Sequence, residues 1–509
     1  MKTIPDFSAF QKIYGEGGNG AAQAIWTTLV SDLETPVSAM LKLAQDRPNS
    51  FLLESVEGGA IRGRYSFIGL RPDLIWRCFG DRAEINRQAV TDPEAFAPCP
   101  VAEKSGAIES LRALVGESRI DIPDALPPMA SGLVGYLSYD MVRLVEKLPD
   151  DNPDVIGVPD SIFLRPTVMA VFDSLEDSVT IVTPVWPDSS IGAEAAYEAA
   201  LERLSKVVRD FEASAPLQTS PPPAEEESHE PESNMTREKF HWMVEKAVDY
   251  IHAGDAFQVV PSQRFKLPFG LPPFSFYRAL RRLNPSPFLF FLDFGDFSIA
   301  GSSPEILVRV RDGKITLRPL AGTRKRGKSP EEDKALVEDL LADPKEIAEH
   351  LMLLDLGRND VGRVAKVGTV TVTEQFIVEY YSHVMHIASN VEGDLDPRFD
   401  AIDALLAGFP AGTVSGAPKV RAMEIIDELE PERRGVYAGC IGYFGANGDM
   451  DTCISLRTAV IKDGAIYIQA GGGVVADSDP ENEYQESRNK AQALIRAAEE
   501  AVKFSSGTA

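Results

Sequence analysis

Between Glu212 and Asn234 the sequence holds six Glu, five Pro and no Lys or Arg in 23 residues, with almost nothing apolar to bury. Such a stretch cannot contribute to a core, and its composition predicts a solvated linker or long loop. It divides the chain into an N-terminal lobe, 1–211, the acidic Pro-rich segment, 212–234, and a larger C-terminal region, 235–509. Neither flank shows a repeat, and 509 residues at 44% hydrophobic suffice for large cores without disulfide or metal staples.

Charge narrows the partners. Fifty-one Lys and Arg against 77 Asp and Glu give a net charge of −26, a field that repels nucleic-acid phosphates and anionic membrane surfaces. No nucleic acid and no membrane partner is expected, and no stretch approaches the ~18 apolar residues of a membrane span. The start, MKTIPDFSAFQKIYGEGG, lacks the apolar core of an export signal. Cys78, Cys99, Cys440 and Cys453 have no close CxxC spacing, which fits buried, reduced thiols and a cytoplasmic protein.

Strand-like runs joined by Gly-Asp, Asp-Gly-Lys and Asn-Gly-Asp turns favour hairpins, hence antiparallel sheet and an α+β class, over alternating βαβ units. Two helices are marked at their starts. Asp343-Pro344-Lys345-Glu346 supplies a cap, a Pro in the first turn and an acid, and Asp479-Pro480 opens a second helix with Leu494, Ile495, Ala498 and Val502 as its apolar stripe.

Each of these helices carries acids three apart near its start, Glu346/Glu349 and Glu483/Glu486. Each pair shares one helical face, so two adjoining helices could offer carboxylates to one Mg²⁺; alternatively the acids only complement the helix dipole, which spacing alone favours. His383 and His386 lie in a β-branched run, where an odd separation sends them to opposite faces and only one can reach a cleft. Gly15 to Gly20 matches GxGxxG with no βαβ context and reads better as a loop. Arg324-Lys325-Arg326-Gly327-Lys328, the one dense basic run, reads as a solvated loop whose Gly322-Thr323 start can offer backbone N–H groups to an anion. Gly471-Gly472-Gly473 allows the same close approach, or simply a tight bend.

Taken together, GDAFQVVPSQRF, NPSPFLFF, GSSPE, RPLAGTRKRG, EHLMLLDLGRNDVGRV, YYSHVMHI, FPAGTVSGAPKVRAMEIIDELE, RRGVYAGCIGYF, MDTCISLRTAV and QAGGGVVADSDPENEYQESRNKA follow one another in order across 250–495. In these blocks the sequence resembles the chorismate-utilising enzyme family, most closely its anthranilate-forming branch. The resemblance implies the chorismate-binding fold, with large antiparallel sheets against outer helices in two lobes. It implies Mg²⁺ on Glu349 and Glu486 with Glu346 and Glu483 supporting through water, which outweighs the helix-dipole alternative. It further implies that Tyr437 and Arg457 bind substrate carboxylate, that backbone at Gly322, Thr323, Gly471, Gly472 and Gly473 completes the anion site, and that His386 and Thr413 line the reacting face.

Gln258 stands where isochorismate-forming relatives carry a water-activating Lys, and Ala321 where common aminodeoxychorismate-forming relatives carry the Lys of PIKGT; both favour anthranilate. Cys440, in GCIGYF, lacks the continuation of a glutaminase nucleophile loop, so the resemblance implies a separate glutamine amidotransferase subunit delivering ammonia, and a hetero-oligomer. Leu52-Leu53-Glu54-Ser55 resembles the family's tryptophan feedback element, which works with a segment that reads Asn284 to Leu289 here. Ser55, Pro287, Phe288 and Leu289 are therefore candidate contacts of L-tryptophan as inhibitor. The alternatives are an aminodeoxychorismate-forming relative in folate synthesis and a non-catalytic tryptophan-binding regulator.

Overall fold

The computed structural model describes residues 2–15, 20–45, 47–57, 61–127, 129–214, 230–381 and 384–506. The marked turns do carry hairpins. Gly295-Asp296 joins Phe288–Asp293 to Phe297–Ser303, Asp312-Gly313 joins Ile306–Arg311 to Lys314–Leu317, and Asn447 to Asp449 joins Cys440–Gly445 to Met450–Ile454. Asp312 and Gly313 take φ of 51° and 71°, the left-handed pair a two-residue hairpin turn needs.

Two arms of antiparallel strands grow from the paired long strands Tyr65–Phe79 and Ser161–Asp173. One runs through Ser50–Glu54, Phe288–Asp293, Phe297–Ser303, Thr458–Lys462 and Ala465–Gly471 to Ser262–Pro268. The other runs through Gly132–Leu137, Cys440–Gly445, Met450–Ile454, Ile306–Arg311 and Lys314–Leu317 to Val384–Asp394. Side chains alternate across each strand. Phe51, Phe290 and Val460 of the first arm thus meet Val134, Ile441 and Cys453 of the second in a shared inner core. Their neighbours Leu52, Phe291 and Ile461 turn outward beneath the helices Pro273–Leu283 and Pro480–Ser506. Leu133, Cys440 and Ile454 turn the other way, into the core that holds Leu354 of Pro344–Gly362 and Leu405 of Ala401–Gly408. The result is helix, sheet, sheet, helix, the α+β arrangement expected.

The stretches on either side of the acidic segment interleave in this sheet, with Glu54 opposite Leu289 and Tyr136 opposite Ile441. Glu54 is buried and bonds Arg281 at 2.6 and 2.7 Å and the Tyr277 hydroxyl at 2.6 Å. Removing Arg281 would strand the buried Glu54 charge at a cost of about 3–5 kcal/mol. Glu212 ends the helix Ala193–Glu212, and Glu232–Ser233 pairs with Phe265 and Lys266. The stretch 215–229, most of the acidic segment, lies outside the described residues, as do Glu16 to Asn19 of the GxGxxG match and His383. All four cysteines are buried and free. Among the described residues no helix is long and apolar enough to cross a membrane.

Candidate active site

The two marked helices form as their caps dictate. Asp343 accepts from the Lys345 amide at 3.0 Å at the start of Pro344–Gly362, and Asp479 accepts from the Asn482 amide at 2.9 Å at the start of Pro480–Ser506. Their first turns bring the acid pairs into one neighbourhood. Burial pushes the Glu349 carboxyl up, as do the charges of Glu346 and Glu486, against a 2.9 Å hydrogen bond from Gln258 Nε2. Burial likewise raises Glu483, with Glu486 adding to it, although Ser478 donates to Glu483 at 2.8 Å. Arg324 holds Glu346 at 2.9 Å and Lys490 holds Glu486 at 2.8 Å.

Glycine backbone closes on these carboxylates. A Cβ at Gly472 would lie 2.7 Å from Glu483 Oε2 and 3.5 Å from Glu486 Oε1, and one at Gly473 would lie 2.5 Å from Gln258 Nε2. Gly322, at φ 80°, would place its Cβ 3.3 Å from Glu346 Oε2. Glu483 Oε2 is buried with no hydrogen-bond partner among the described residues. An all-oxygen donor set, mutual repulsion and an orphaned oxygen fit a hard divalent cation. Among the described residues no three acidic, cysteine or histidine side chains are grouped to hold a metal by themselves, so part of such an ion's shell would come from water and ligand.

The strand Val384–Asp394 supplies His386, registered opposite Thr323. His386 Nδ1 lies 2.9 Å from Thr323 Oγ1 and 3.3 Å from Gly322 O. Burial, then the Arg457 charge, pulls its pKa down to about 4. The ring is neutral near pH 7, and because a carbonyl only accepts, Nδ1 carries the proton and Nε2 a lone pair. Tyr381 packs against the ring at 5.4 Å.

Arg457, at φ 48°, sits between Met450–Ile454 and Thr458–Lys462. Burial pulls its pKa down, against the influence of Tyr381 and Glu305, both of which titrate above neutral pH. Its guanidinium makes no hydrogen bond or ion pair with the described residues. A desolvated cation held without an anion is costly unless a ligand completes it. Burial raises the Tyr437 hydroxyl to about 12, against the Arg434 charge and a hydrogen bond with the Gly471 backbone.

Sequence reasoning passed over two residues here. Glu305, directly after Pro304 in GSSPE, is 6% exposed and is pushed up to about 8 by burial, against hydrogen bonds from Thr413 Oγ1 at 3.1 and 3.2 Å. It is a protonated carboxyl at neutral pH; the available signal was an acid inside a block of otherwise small residues. Lys490 joins Glu486 to Gly471 O, 3.0 Å away, and its charge reaches His386. The basic run is neutralised rather than displayed, Arg324 by Asp339, Asp343 and Glu346 and Arg326 by Asp333. Away from this site, Glu54 opposite Leu289 brings Ser55 and Pro287 to Leu289 side by side, with the Ser55 hydroxyl against Gly63.

The family described as chorismate binding enzyme matches residues 71–496. The chain is 59% identical to anthranilate synthase component 1 of Cereibacter sphaeroides over 501 residues, 98% of this chain and 99% of that one. It is 47% identical to the Pseudomonas aeruginosa protein of the same name over 494 residues, 96% and 97% of the two chains. Among solved structures, anthranilate synthase component I from Streptococcus pneumoniae superposes with a TM-score of 0.71 at 40% identity, covering 85% of this chain and 92% of that one. A menaquinone-specific isochorismate synthase from Escherichia coli shares the fold, at 20% identity and a TM-score of 0.69 over 96% and 99% of the two chains.

Proposed function

The chain belongs to the chorismate binding enzyme family, and from that premise we propose that it converts chorismate and ammonia to anthranilate, pyruvate and water, committing chorismate to tryptophan. It is a chorismate-utilising lyase. The observation that carries the reading is the Arg457 guanidinium, without a partner among the described residues, facing a protonated Glu305 and a neutral His386.

Chorismate is a dianion, and a chain of net charge −26 can hold it only where charge is locally reversed. Arg457 takes the enolpyruvyl carboxylate, with Tyr437 and the backbone of Gly322, Thr323 and Gly471 to Gly473 framing the rest. Glu349 and Glu486 would hold Mg²⁺, with Glu346 and Glu483 supporting through water, and the ion when bound supplies Lewis-acid charge neutralisation at the ring carboxylate. Glu305, oriented by Thr413, gives its proton to the 4-hydroxyl, which leaves as water while the ammonia lone pair forms the C2–N bond. The Glu305 carboxylate then takes the surplus ammonium proton. His386 Nε2 accepts the C2 proton as the bond from ring C3 to the enolpyruvyl oxygen breaks, the ring aromatises, and the released enolate takes up a proton as pyruvate.

Gln258, an amide bonded to Glu349, cannot activate water as a lysine does, which supports amination over hydration. The direct test is pyruvate yield: one pyruvate per chorismate consumed supports the reading, and an aminated product that keeps its enolpyruvyl ether contradicts it. Arg457→Ala should lower kcat/KM for chorismate roughly 30-fold or more, the equivalent of about 2 kcal/mol or more for losing a buried charge pair. Its thermal stability should hold, since the half-buried guanidinium bonds no side chain among the described residues. Unchanged kcat/KM, measured by steady-state kinetics beside a melting curve, would remove Arg457 from the site.

Ammonia reaches the site from glutamine through a separate amidotransferase subunit, in keeping with the name component 1 that the relatives carry. Cys440 is buried and its thiol raised to about 12, so it is no glutaminase nucleophile. Free, buried cysteines support a reducing, cytoplasmic setting. L-Tryptophan acts as feedback inhibitor at Ser55 and Pro287 to Leu289. Ser55→Ala should raise the half-inhibiting tryptophan concentration roughly 5-fold, the worth of a ~1 kcal/mol hydrogen bond, with uninhibited kcat unchanged. An unaltered inhibition curve would place tryptophan elsewhere.

A further inference from the structure

A cavity of about 1040 Å³ lies between the helix Ala193–Glu212 and the strands Tyr65–Phe79 and Ser161–Asp173. It shares no lining residue with the candidate active site or with the Ser55 element. Its polar wall is built around an irregularity. The register of Tyr65–Phe79 against Ser161–Asp173 skips between Pro72 and Leu74, and Arg71 takes φ 52°. Such a bulge re-aims side chains. Here it sends Asp73 to Arg165, bonded at 2.9 Å through both carboxylate oxygens, and Arg71 to Asp210 at 2.9 Å.

The guanidiniums of Arg71 and Arg165 are therefore each paired with a carboxylate, Asp210 and Asp73. Glu117 approaches Arg165 at 3.3 Å but is already held by Arg87 at 2.5 and 2.7 Å. Arg203 is left with neutral acceptors only, Thr183 Oγ1 at 2.9 Å and Pro184 O at 3.4 Å. Burial pulls its pKa down, against the charge of Asp73, which bonds Arg165 instead. Two further donors in the same wall, Trp186 Nε1 and Arg71 Nε, are buried with no hydrogen-bond partner among the described residues. Arg165 stacks on the Trp186 ring at 4.3 Å, fixing the indole. The cavity is lined as well by the apolar Leu43, Val185 and Ile191.

We propose that this cavity is a second binding site, for a small organic acid whose carboxylate lies on Arg203 and the Trp186 indole N–H while its apolar body rests on Leu43, Val185 and Ile191. A guanidinium bonded to no carboxylate matches an anionic group, and the neutral indole N–H beside it offers a donor to a second carboxylate oxygen, while the apolar lining distinguishes an organic acid from an inorganic ion.

The probe is benzoate, titrated calorimetrically into the full-length protein. Benzoate should bind the wild type and Arg457→Ala alike, and at least 10-fold more weakly in Arg203→Gln. Trp186→Phe, which keeps the ring and loses the N–H, should also weaken it several-fold, and this variant keeps the test open should Arg203→Gln not fold. Both should turn chorismate over with unchanged kcat. Equal binding by wild type, Arg203→Gln and Trp186→Phe would overturn the site. So would loss of benzoate binding in Arg457→Ala, which would place the probe at the substrate site. Binding of inorganic phosphate without benzoate would overturn the organic-acid assignment.

Discussion

Glu305→Gln should lower kcat roughly 10²–10⁴-fold, the range spanned by a positioned proton donor, with little change in KM for chorismate. The substitution keeps the shape and neutrality of the protonated acid and the contact with Thr413, and removes only the transferable proton. The wild-type carboxyl is pushed up to about 8 from an ordinary 4.5 by burial. Its acid form is therefore present at neutral pH, and turnover at constant free ammonia should fall as pH rises through about 8. The same shift sets a stability trend. A carboxyl whose pKa is higher folded than unfolded favours the fold fully below about 4.5, and that contribution is lost as pH rises toward about 8. Glu305→Gln should flatten both profiles across this window. Wild-type pH profiles in the variant, or turnover near the wild-type rate, would show that the leaving hydroxyl is protonated by another group.

Glu486→Ala should abolish measurable turnover while the fold persists. An acid near a helix start contributes about 0.3–1 kcal/mol through the dipole. Here that contribution is offset by relief of its repulsion with Glu349 and Glu483, and against it stands only the exposed pair with Lys490. The melting temperature should therefore shift by no more than a few degrees. Calorimetric Mg²⁺ binding in the presence of chorismate should disappear with the activity. Retained activity would move the metal away from Glu486. Lost activity with a collapsed melting curve would make the residue structural.

Local features of the fold were legible, because their causes lie within a few residues. Asp343 and Asp479 announce helices through cap and first turn, the Asp312-Gly313 turn needs its left-handed pair, and the stripe of Leu494, Ile495 and Ala498 faces a core. Long-range pairing was not legible. Nothing near Glu54 reveals that it lies opposite Leu289, or near Tyr136 that it lies opposite Ile441, since those partners are far along the chain. The same limit governed the acid pairs. Spacing put Glu346 with Glu349 and Glu483 with Glu486, but only the tertiary fold sets Glu349 against Glu486 under the Gly472 backbone. Glu305 was missed because its character is a product of burial, and burial belongs to the folded chain. The cavity behind Arg203 rests on a one-residue slip at Asp73, which no periodicity marks.

Anthranilate fluorescence from purified full-length protein, given chorismate and excess ammonium at mildly alkaline pH with and without Mg²⁺, bears most directly on the proposed reaction. Fluorescence that grows only with Mg²⁺ and falls when tryptophan is added is the predicted result. Chorismate left unconsumed under those conditions, or consumed without a fluorescent product, would contradict it.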